Sequence, residues 1–442
     1  MSPPRFEPAT ILSRDDCVAR DRADPLAPLR DEFALPHGVV YLDGNSLGAL
    51  PKRTAARLTE LVTNEWGEGL IRSWNDAGWI DLSRRIGDKI GALIGAGPGE
   101  VSVGDSTSVN LFKVLSAAVA LQQADAPNRK VIVSELGNFP TDLYIAESVA
   151  AASGLTLQLA ATDELPDHLG SDVAVLMLTH VNYRSGRMHD MAAVTRAAQA
   201  AGALVIWDLA HSAGAVPVAL GAADFAVGCG YKYLNGGPGA PAFLWANPRH
   251  TARMDREQLR QPLSGWLGHA APFEFAPSYR PAAGIARFIC GTPPLLSMAA
   301  LECGVDVFAL ANAAGGMAAL RDKSMALTSL FLERVEALCD GLGLTLASPR
   351  DPSARGSQVS FAHENGYAVM QALIERDVIG DFRAGEASAG DDPVLAADLL
   401  RFGFTPLYTR FVDAWDAAGQ LHDILRSEAW RADRFGRRSA VT

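Results

Sequence analysis

Cysteine is scarce in this chain: five residues in 442 (Cys17, Cys229, Cys290, Cys303 and Cys339), an odd number without any C-x-x-C pair. That scatter offers neither a disulfide framework nor a zinc or other metal site, and each thiol reads as a small buried hydrophobe in a reducing compartment. Long apolar runs are missing as well. Stretches such as 173–178 and 203–207 fall far short of the roughly 20 residues a membrane span requires, so neither a spanning helix nor a membrane partner is expected. Basic residues are outnumbered, 39 Lys plus Arg against 50 Asp plus Glu, and the net charge of −11 repels phosphate backbones. Nucleic acid is therefore excluded as a partner. The opening MSPPRFEPATILSRDD has no apolar segment behind a basic one, so no secretory signal is visible and a cytoplasmic location is expected. No P-loop pattern occurs, and no G-x-G-x-x-G follows a strand, which argues against a nucleoside triphosphatase and a nicotinamide dehydrogenase.

What is present fits an enzyme-sized globular protein. Hydrophobic residues make up 48% and charged residues 20%, with 41 Gly and 25 Pro, and the length suggests two or three domains. Between about residues 100 and 250, short Val/Leu/Ile-rich runs (130–134, 155–159, 173–179, 203–208, 225–229 and 242–245) alternate with Ala-rich helical stretches (109–121, 143–152 and 191–201). This alternation predicts a mostly parallel, seven-stranded type of sheet with helices on both faces, its strands apolar because both faces are covered. Beyond residue 295 the texture changes to long Ala/Leu/Glu/Arg helices, including 324–338 and the Ala/Gly-rich run 309–320. A strand-like 357–361 and a Gly/Asp loop near 385–392 follow, and together these read as a smaller α+β domain. The final RADRFGRRSAVT is basic and aperiodic, the pattern of a frayed tail.

The chemistry concentrates at strand ends. In ALVIWDLAHSAG an apolar strand closes on Asp208, with His211 three residues on; in DFAVGCGYKYLNGGPG the next strand leads to Lys232 between Tyr231 and Tyr233. Two successive parallel strands present both groups on one edge, where open α/β sheets bind ligands. A carboxylate that keeps a pyridine nitrogen protonated and a lysine that condenses with an aldehyde are the pair pyridoxal phosphate needs. His211 could hold the ring or orient Asp208. Upstream, Ser106, Thr107 and Ser108 open an apolar-periodic helix, whose free N–H groups and dipole favour an anion.

Eight motifs then carry a resemblance: YLDGNSLGALP at Tyr41, EWGEGLIRSW at Glu65, NFPTD at Asn138, WDLAHSAG at Trp207, GYKYLNGGPG at Gly230, GWLGH at Gly265, GTPP at Gly291 and RFGFTPLY at Arg401. In this order, over nearly the full chain, they resemble the kynureninases, pyridoxal-phosphate enzymes of fold type I related to class V aminotransferases. The resemblance implies hydrolysis of the β,γ carbon–carbon bond of L-kynurenine, or its 3-hydroxy form, to anthranilate and L-alanine in tryptophan degradation, by a homodimer. It implies a segment 1–45 packing with the small domain, a cofactor domain over 46–300 and a small domain over 301–442. It makes Lys232 the cofactor-linked lysine and proton shuttle, and Asp208 the partner of the ring nitrogen. Phe139 would stack on the ring with Pro140, Thr141 and Asp142 beside it, and Thr179 and His211 would complete its surroundings. Thr107, Ser108, Tyr231, Trp266 and Thr292 would hold the phosphate, Arg401 would clamp the substrate α-carboxylate, and Ser46 would lie on the substrate side. Tyr231 is the candidate acid for the β-carbon. Thr292 stands where the eukaryotic branch has Asn, which favours plain kynurenine. The alternatives are a class V aminotransferase or a cysteine desulfurase, which would need a mobile nucleophilic Cys, and a non-catalytic protein of the same fold.

Overall fold

The computed structural model describes residues 12–386 and 392–438. The chain divides into two units: Leu47–Tyr183 with Arg187–Ala309, and Met1–Ser46 with Arg184–Gly186 and Leu310–Thr442.

The first unit is built on strands β1 Val101–Val103, β2 Val131–Glu135, β3 Thr156–Ala160, β4 Val173–Thr179, β5 Leu204–Asp208, β6 Phe225–Gly228 and β7 Phe243–Ala246. They form one seven-stranded sheet in the order β1-β7-β6-β5-β4-β2-β3. Strands β2 to β6 pair in parallel, and β7 runs antiparallel to both of its neighbours. Its helices include α1 Leu82–Ile94, α2 Thr107–Asp125, α3 Pro140–Ser153 and α4 Met191–Ala200. Each apolar run falls within one residue of a strand because the central strands are buried along their length; β4 is buried at all seven positions. The exception is β3. Its apolar sequence predicts cover on both faces, yet exposed and half-buried residues alternate from Thr156 to Leu159 and only Ala160 is buried. It is an edge strand, paired only with β2, and edges retain a solvated face.

Helix α3 begins three residues earlier than its periodicity predicts because Pro140 occupies the first turn, where its fixed φ and missing N–H cost nothing. Helix α4 starts at a cap in which Asp190 accepts from Ala193 N–H at 2.9 Å. Helix α5, Leu295–Ala311, belongs to the one segment among the described residues, Leu295–Ala314, long and apolar enough by composition to cross a membrane. It contains no long uninterrupted apolar run, because Glu302 and Asp306 break it. Half of the segment is buried inside the protein, and both carboxylates are engaged. Glu302 takes Arg85 Nε and Lys89 Nζ at 2.8 Å each, and Asp306 takes Lys89 at 2.6 Å.

Burial pushes the Glu302 carboxyl up, but the hydrogen bonds from Arg85 and Lys89 outweigh it and hold the group down to about 2. A carboxylate depressed in the folded state stabilises above its unfolded value near 4.3, and that contribution is lost as pH falls toward 2. Glu302→Gln should cost about 1–2 kcal/mol at neutral pH, after screening of its partly exposed partners, and flatten the acid side of the stability profile. Urea midpoints measured from neutral to acid pH check this.

The second unit carries a four-stranded antiparallel sheet, order β10-β11-β9-β8, of β8 Thr345–Leu346, β9 Gln358–Ala362, β10 Asp381–Arg383 and β11 Leu399–Gly403. Helices α6 Gly316–Cys339 and α7 Phe411–Arg426 pack together beside it, around a core in which Phe331 meets Phe402 and Phe404 at 4.8 and 5.3 Å. Val40–Tyr41 adds a short parallel pairing with Val378–Ile379. Two expectations are corrected here. The run 309–320 is not one helix: α5 ends, a single turn Asn312–Ala314 follows, and Gly315 and Gly316 at φ +107° and +63° restart the chain as α6. The basic tail is ordered well past residue 431, because Phe435 is buried and Arg437 O accepts from Tyr367 Oη at 3.0 Å. The expected Gly/Asp loop falls largely on residues outside those described.

Candidate active site

Parallel pairing of β5 with β6 brings the residues that follow Asp208 and Gly228 to one edge of the sheet. Lys232 is presented there by a tight turn, closed by Asn235 N–H to Lys232 O and Gly236 N–H to Gly230 O, both 2.9 Å. Lys232 Nζ lies 2.9 Å from His211 Nε2, and 5.9 and 5.8 Å from the ring centres of Phe139 and Tyr231. Gly48, from the GNSLG motif, donates its N–H to Tyr231 O at 2.8 Å. A Cβ on Gly48 would collide with the carbonyl oxygen of Lys232, so only glycine permits this approach.

Below the lysine are two buried carboxyls. Asp208, at the end of β5, accepts from Ala210 N–H at 2.7 Å, and it interacts with Asp142 of the first turn of α3. Burial raises both groups, and the Asp208 charge raises Asp142 further, whereas Lys232 and the Ala210 N–H draw Asp208 back. Two carboxylates in contact cannot both ionise cheaply. Asp142 therefore carries the shared proton and Asp208 the charge. The two carboxyls hydrogen-bond each other through that proton.

Above this pair is Phe139, 40% exposed and edge-on to Tyr183 at 5.2 Å. Its position is fixed by Asn138, which the sequence motif contained but to which no role was given. The buried amide accepts from Phe139 N–H at 2.7 Å and from the Thr179 hydroxyl, and donates to Ser134 Oγ at 3.0 Å. Pro140 and Thr141 follow in the first turn of α3.

Of the three hydroxyls at α2, Ser106 is the N-cap, accepting from Val109 N–H at 3.3 Å, and Thr107 and Ser108 are the first helical residues. Lys113, one turn further along, is 1% exposed and donates to Asp105 at 2.6 Å and to Phe288 O at 2.6 Å. It ties the start of α2 to the segment that carries the exposed Thr292. Trp266 is ringed by Trp74 and Phe273 at 6.2 and 5.8 Å.

An aromatic plate, a lysine, a buried carboxyl pair and a hydroxyl-lined helix N-terminus are the features a phosphorylated pyridine aldehyde requires. The residues present fit that group.

Arg401 and Ser46 belong to the other unit, where they are in contact: Arg401 Nη2 donates to Ser46 Oγ at 2.6 Å. Arg401 on β11 faces Asp381 on β10 in antiparallel register and forms an ion pair with it. Asp381 escaped sequence analysis because only cross-strand pairing, not any local pattern, brings it to Arg401. Cys339 is buried in α6, and burial pushes its thiol up to about 11, so it is not the mobile nucleophile a desulfurase needs.

A family model described as the kynureninase C-terminal domain matches residues 320–421. The kynureninase of Burkholderia pseudomallei (strain K96243) is 56% identical over 437 residues, covering 98% of this chain and 100% of that protein. The kynureninase of Pseudomonas fluorescens is 54% identical over the same span, again 98% of this chain and 100% of that protein. Among solved structures, the apo cysteine desulfurase of Thermococcus onnurineus NA1 superposes with a TM-score of 0.74 at 19% identity, covering 90% of this chain and 98% of that one. The cystine C-S lyase C-DES, in complex with cysteine persulfide, superposes with a TM-score of 0.70 at 16% identity, covering 88% and 97%. At such identities the likeness is one of fold.

Proposed function

The chain belongs to the kynureninase family, and from that premise we infer that it hydrolyses L-kynurenine to anthranilate and L-alanine with pyridoxal phosphate as cofactor. The fold is that of type I pyridoxal-phosphate enzymes, α/β with a mostly parallel sheet. The observation that carries the reading is Lys232 held beside His211 and acting on a buried, hydrogen-bonded Asp208–Asp142 pair.

When bound, pyridoxal phosphate supplies an electron sink for the pairs released at the substrate's α- and β-carbons. Thr107 and Ser108 at the α2 N-terminus, with Tyr231, Trp266 and Thr292, would hold its phosphate. Phe139 would cover the ring, flanked by Pro140, Thr141, Thr179 and His211. Asp208, ionised and braced by protonated Asp142, would hold a proton on the ring nitrogen. Arg401 would bind the substrate α-carboxylate through its guanidinium fork, with Ser46 beside it. Lys232 Nζ would take the proton from the α-carbon; water adds to the γ-carbonyl, the bond to the β-carbon breaks, and Tyr231 Oη would protonate that carbon. Atoms balance as kynurenine plus water giving anthranilate plus alanine.

Tyr231→Phe should lower turnover by about 10²-fold or more with little change in KM, the loss expected of a general acid; full turnover in that variant would remove Tyr231 from the role. The function itself is tested by adding L-kynurenine to the purified holoenzyme and following anthranilate fluorescence. Sulfide from cysteine, or a keto acid from an amino donor, without anthranilate would overturn it. The buried, high-pKa Cys339 speaks against the desulfurase alternative. A homodimer is supported by the exposed apolar side chains of Trp66, Leu70, Ile71, Phe273 and Phe275, which a subunit contact would cover. Five free cysteines support a reducing, cytoplasmic setting.

A further inference from the structure

Arg401 is already engaged by an internal carboxylate. Its Nη2 pairs with Asp381 Oδ2 and donates to Ser46 at 2.6 Å. Arg383 Nη2 lies 2.6 Å from the same Asp381 oxygen. Asn45, its amide oriented to satisfy both neighbours, accepts from Arg401 Nε at 3.0 Å and donates to Asp43 Oδ1 at 3.2 Å. Within this unit two carboxylates, Asp43 and Asp381, thus stand close to two guanidiniums, with Asp381 and Arg401 almost wholly buried at 4% and 1% exposure. A substrate carboxylate that engages Arg401 adds a further anion beside these carboxylates, and a like charge close by favours the protonated form of a neighbouring carboxyl. That added charge draws a proton onto one of the two.

Asp381 is poorly placed to do so, because both guanidiniums hold one oxygen, Ser46 Oγ donates to it at 3.2 Å, and Phe382 N–H donates to the other at 2.9 Å. Asp43 feels Arg401 and Arg383 through their charge but forms no ion pair among the described residues; its hydrogen-bond contacts are Asn45 and Ser46. Resting on the assignment of Arg401 to the substrate α-carboxylate, we propose that Asp43 is a charge-compensating positioning residue that takes up a proton when that carboxylate binds.

The surroundings of Asp43 agree. It is faced by Asp381 and Arg383 from β10, by Arg401 from β11, and by Tyr41, Asn45 and Ser46 of its own segment. Tyr408, in the turn after β11, packs on Tyr41 and on Gly44. Burial and the Asp381 charge push Asp43 up to about 7 against the pull of Arg401, so its proton is already in balance near neutrality. A further anion favours the protonated form. Carboxylate affinity is then constant below about pH 7 and weakens by up to tenfold per pH unit above it, until the pKa of the bound form is reached.

The test uses the holoenzyme and the deamino analogue of kynurenine, which keeps the carboxylate, the γ-ketone and the aminophenyl ring but has no amine to condense with the cofactor. Calorimetric titration in buffers of different ionisation enthalpy counts protons directly. Uptake approaching one proton per site near pH 8, and little below about pH 6, is expected. In Asp43→Asn the uptake should vanish and Kd should lose its pH dependence, while affinity at about pH 6 stays within roughly threefold of wild type. Uptake under about 0.2 proton in the wild type near pH 8, or unchanged uptake in Asp43→Asn, would overturn the proposal. The wild-type count stands even if the variant does not fold. Arg401→Lys separates the two readings: an unchanged Kd at every pH removes Arg401 from the carboxylate site, whereas a weakened Kd together with no wild-type proton uptake overturns Asp43 alone.

Discussion

Lys232→Ala should abolish anthranilate formation, lowering turnover by at least about 10³-fold, because one amine both links the cofactor and moves the α-proton. The geometry makes this loss specific. Lys232 is only partly buried, and it sits on a turn held by main-chain hydrogen bonds at Gly230, Lys232, Asn235 and Gly236, so truncating the side chain removes no packed core. His211, 2.9 Å away, loses its partner but keeps its buried position beside β5. The variant should therefore melt within a few degrees of the wild type while its fluorescence assay stays flat. Substantial turnover would mean that another group performs the proton transfer and that the site is wrongly assigned. The absorbance of bound cofactor gives a second readout, since loss of the covalent link changes the spectrum whether or not the fold is affected.

Asp208→Asn should lower kcat by about 10²–10⁴-fold with little change in KM, the pattern of an interaction realised during reaction rather than on binding. The substitution keeps shape and can still accept the Ala210 N–H at Oδ1. It removes the negative charge, and with it the means of keeping a ring nitrogen protonated. It also relieves Asp142, which the Asp208 charge holds in its protonated form, so Asp142 should ionise more readily and recover part of the function. Asp142→Asn should then cost more in the Asp208→Asn background than it does alone, because it removes the carboxyl that takes over the charge. Steady-state kinetics of the two single variants and the double variant measure that coupling. Independent, additive effects would show that the pair does not act as a unit.

How far the site can be read from sequence depends on what each residue's neighbours are. Asp208 and Lys232 stand out because each follows a wholly apolar strand, and a charged group at such a position has few structural uses. Phe139 and Asp142 are legible only through the NFPTD motif: no periodicity distinguishes an aromatic helix cap from core, or a buried Asp from a solvated one. Asn138, Asp43 and Asp381 act through contacts that local pattern does not encode. Asp381 meets Arg401 across two antiparallel strands whose register is set by the whole sheet. In the same way, β3 reads as a covered strand because its sequence is apolar enough, and only its place at the sheet edge exposes it. Helix α5 lies in the stretch that reads as helical beyond residue 295, but its apolar length does not show in sequence for the opposite reason: two carboxylates interrupt the run, and their partners Arg85 and Lys89 lie more than 200 residues away.

The close approach of Gly48 to the backbone of Lys232 bears on any attempt to redesign this enzyme. The segment DGNSLG invites saturation mutagenesis, since it contains Ser46, which we propose lies on the substrate side. Its positions are not equivalent. Any side chain at Gly48 presses on the carbonyl of the lysine itself, so libraries that vary it will be dominated by inactive clones whatever substrate is offered. Ser46 is only partly buried and makes hydroxyl contacts with Arg401 and Asp381. Substrate range should therefore be sought at position 46 with position 48 held constant, which reduces a six-residue library to its productive part.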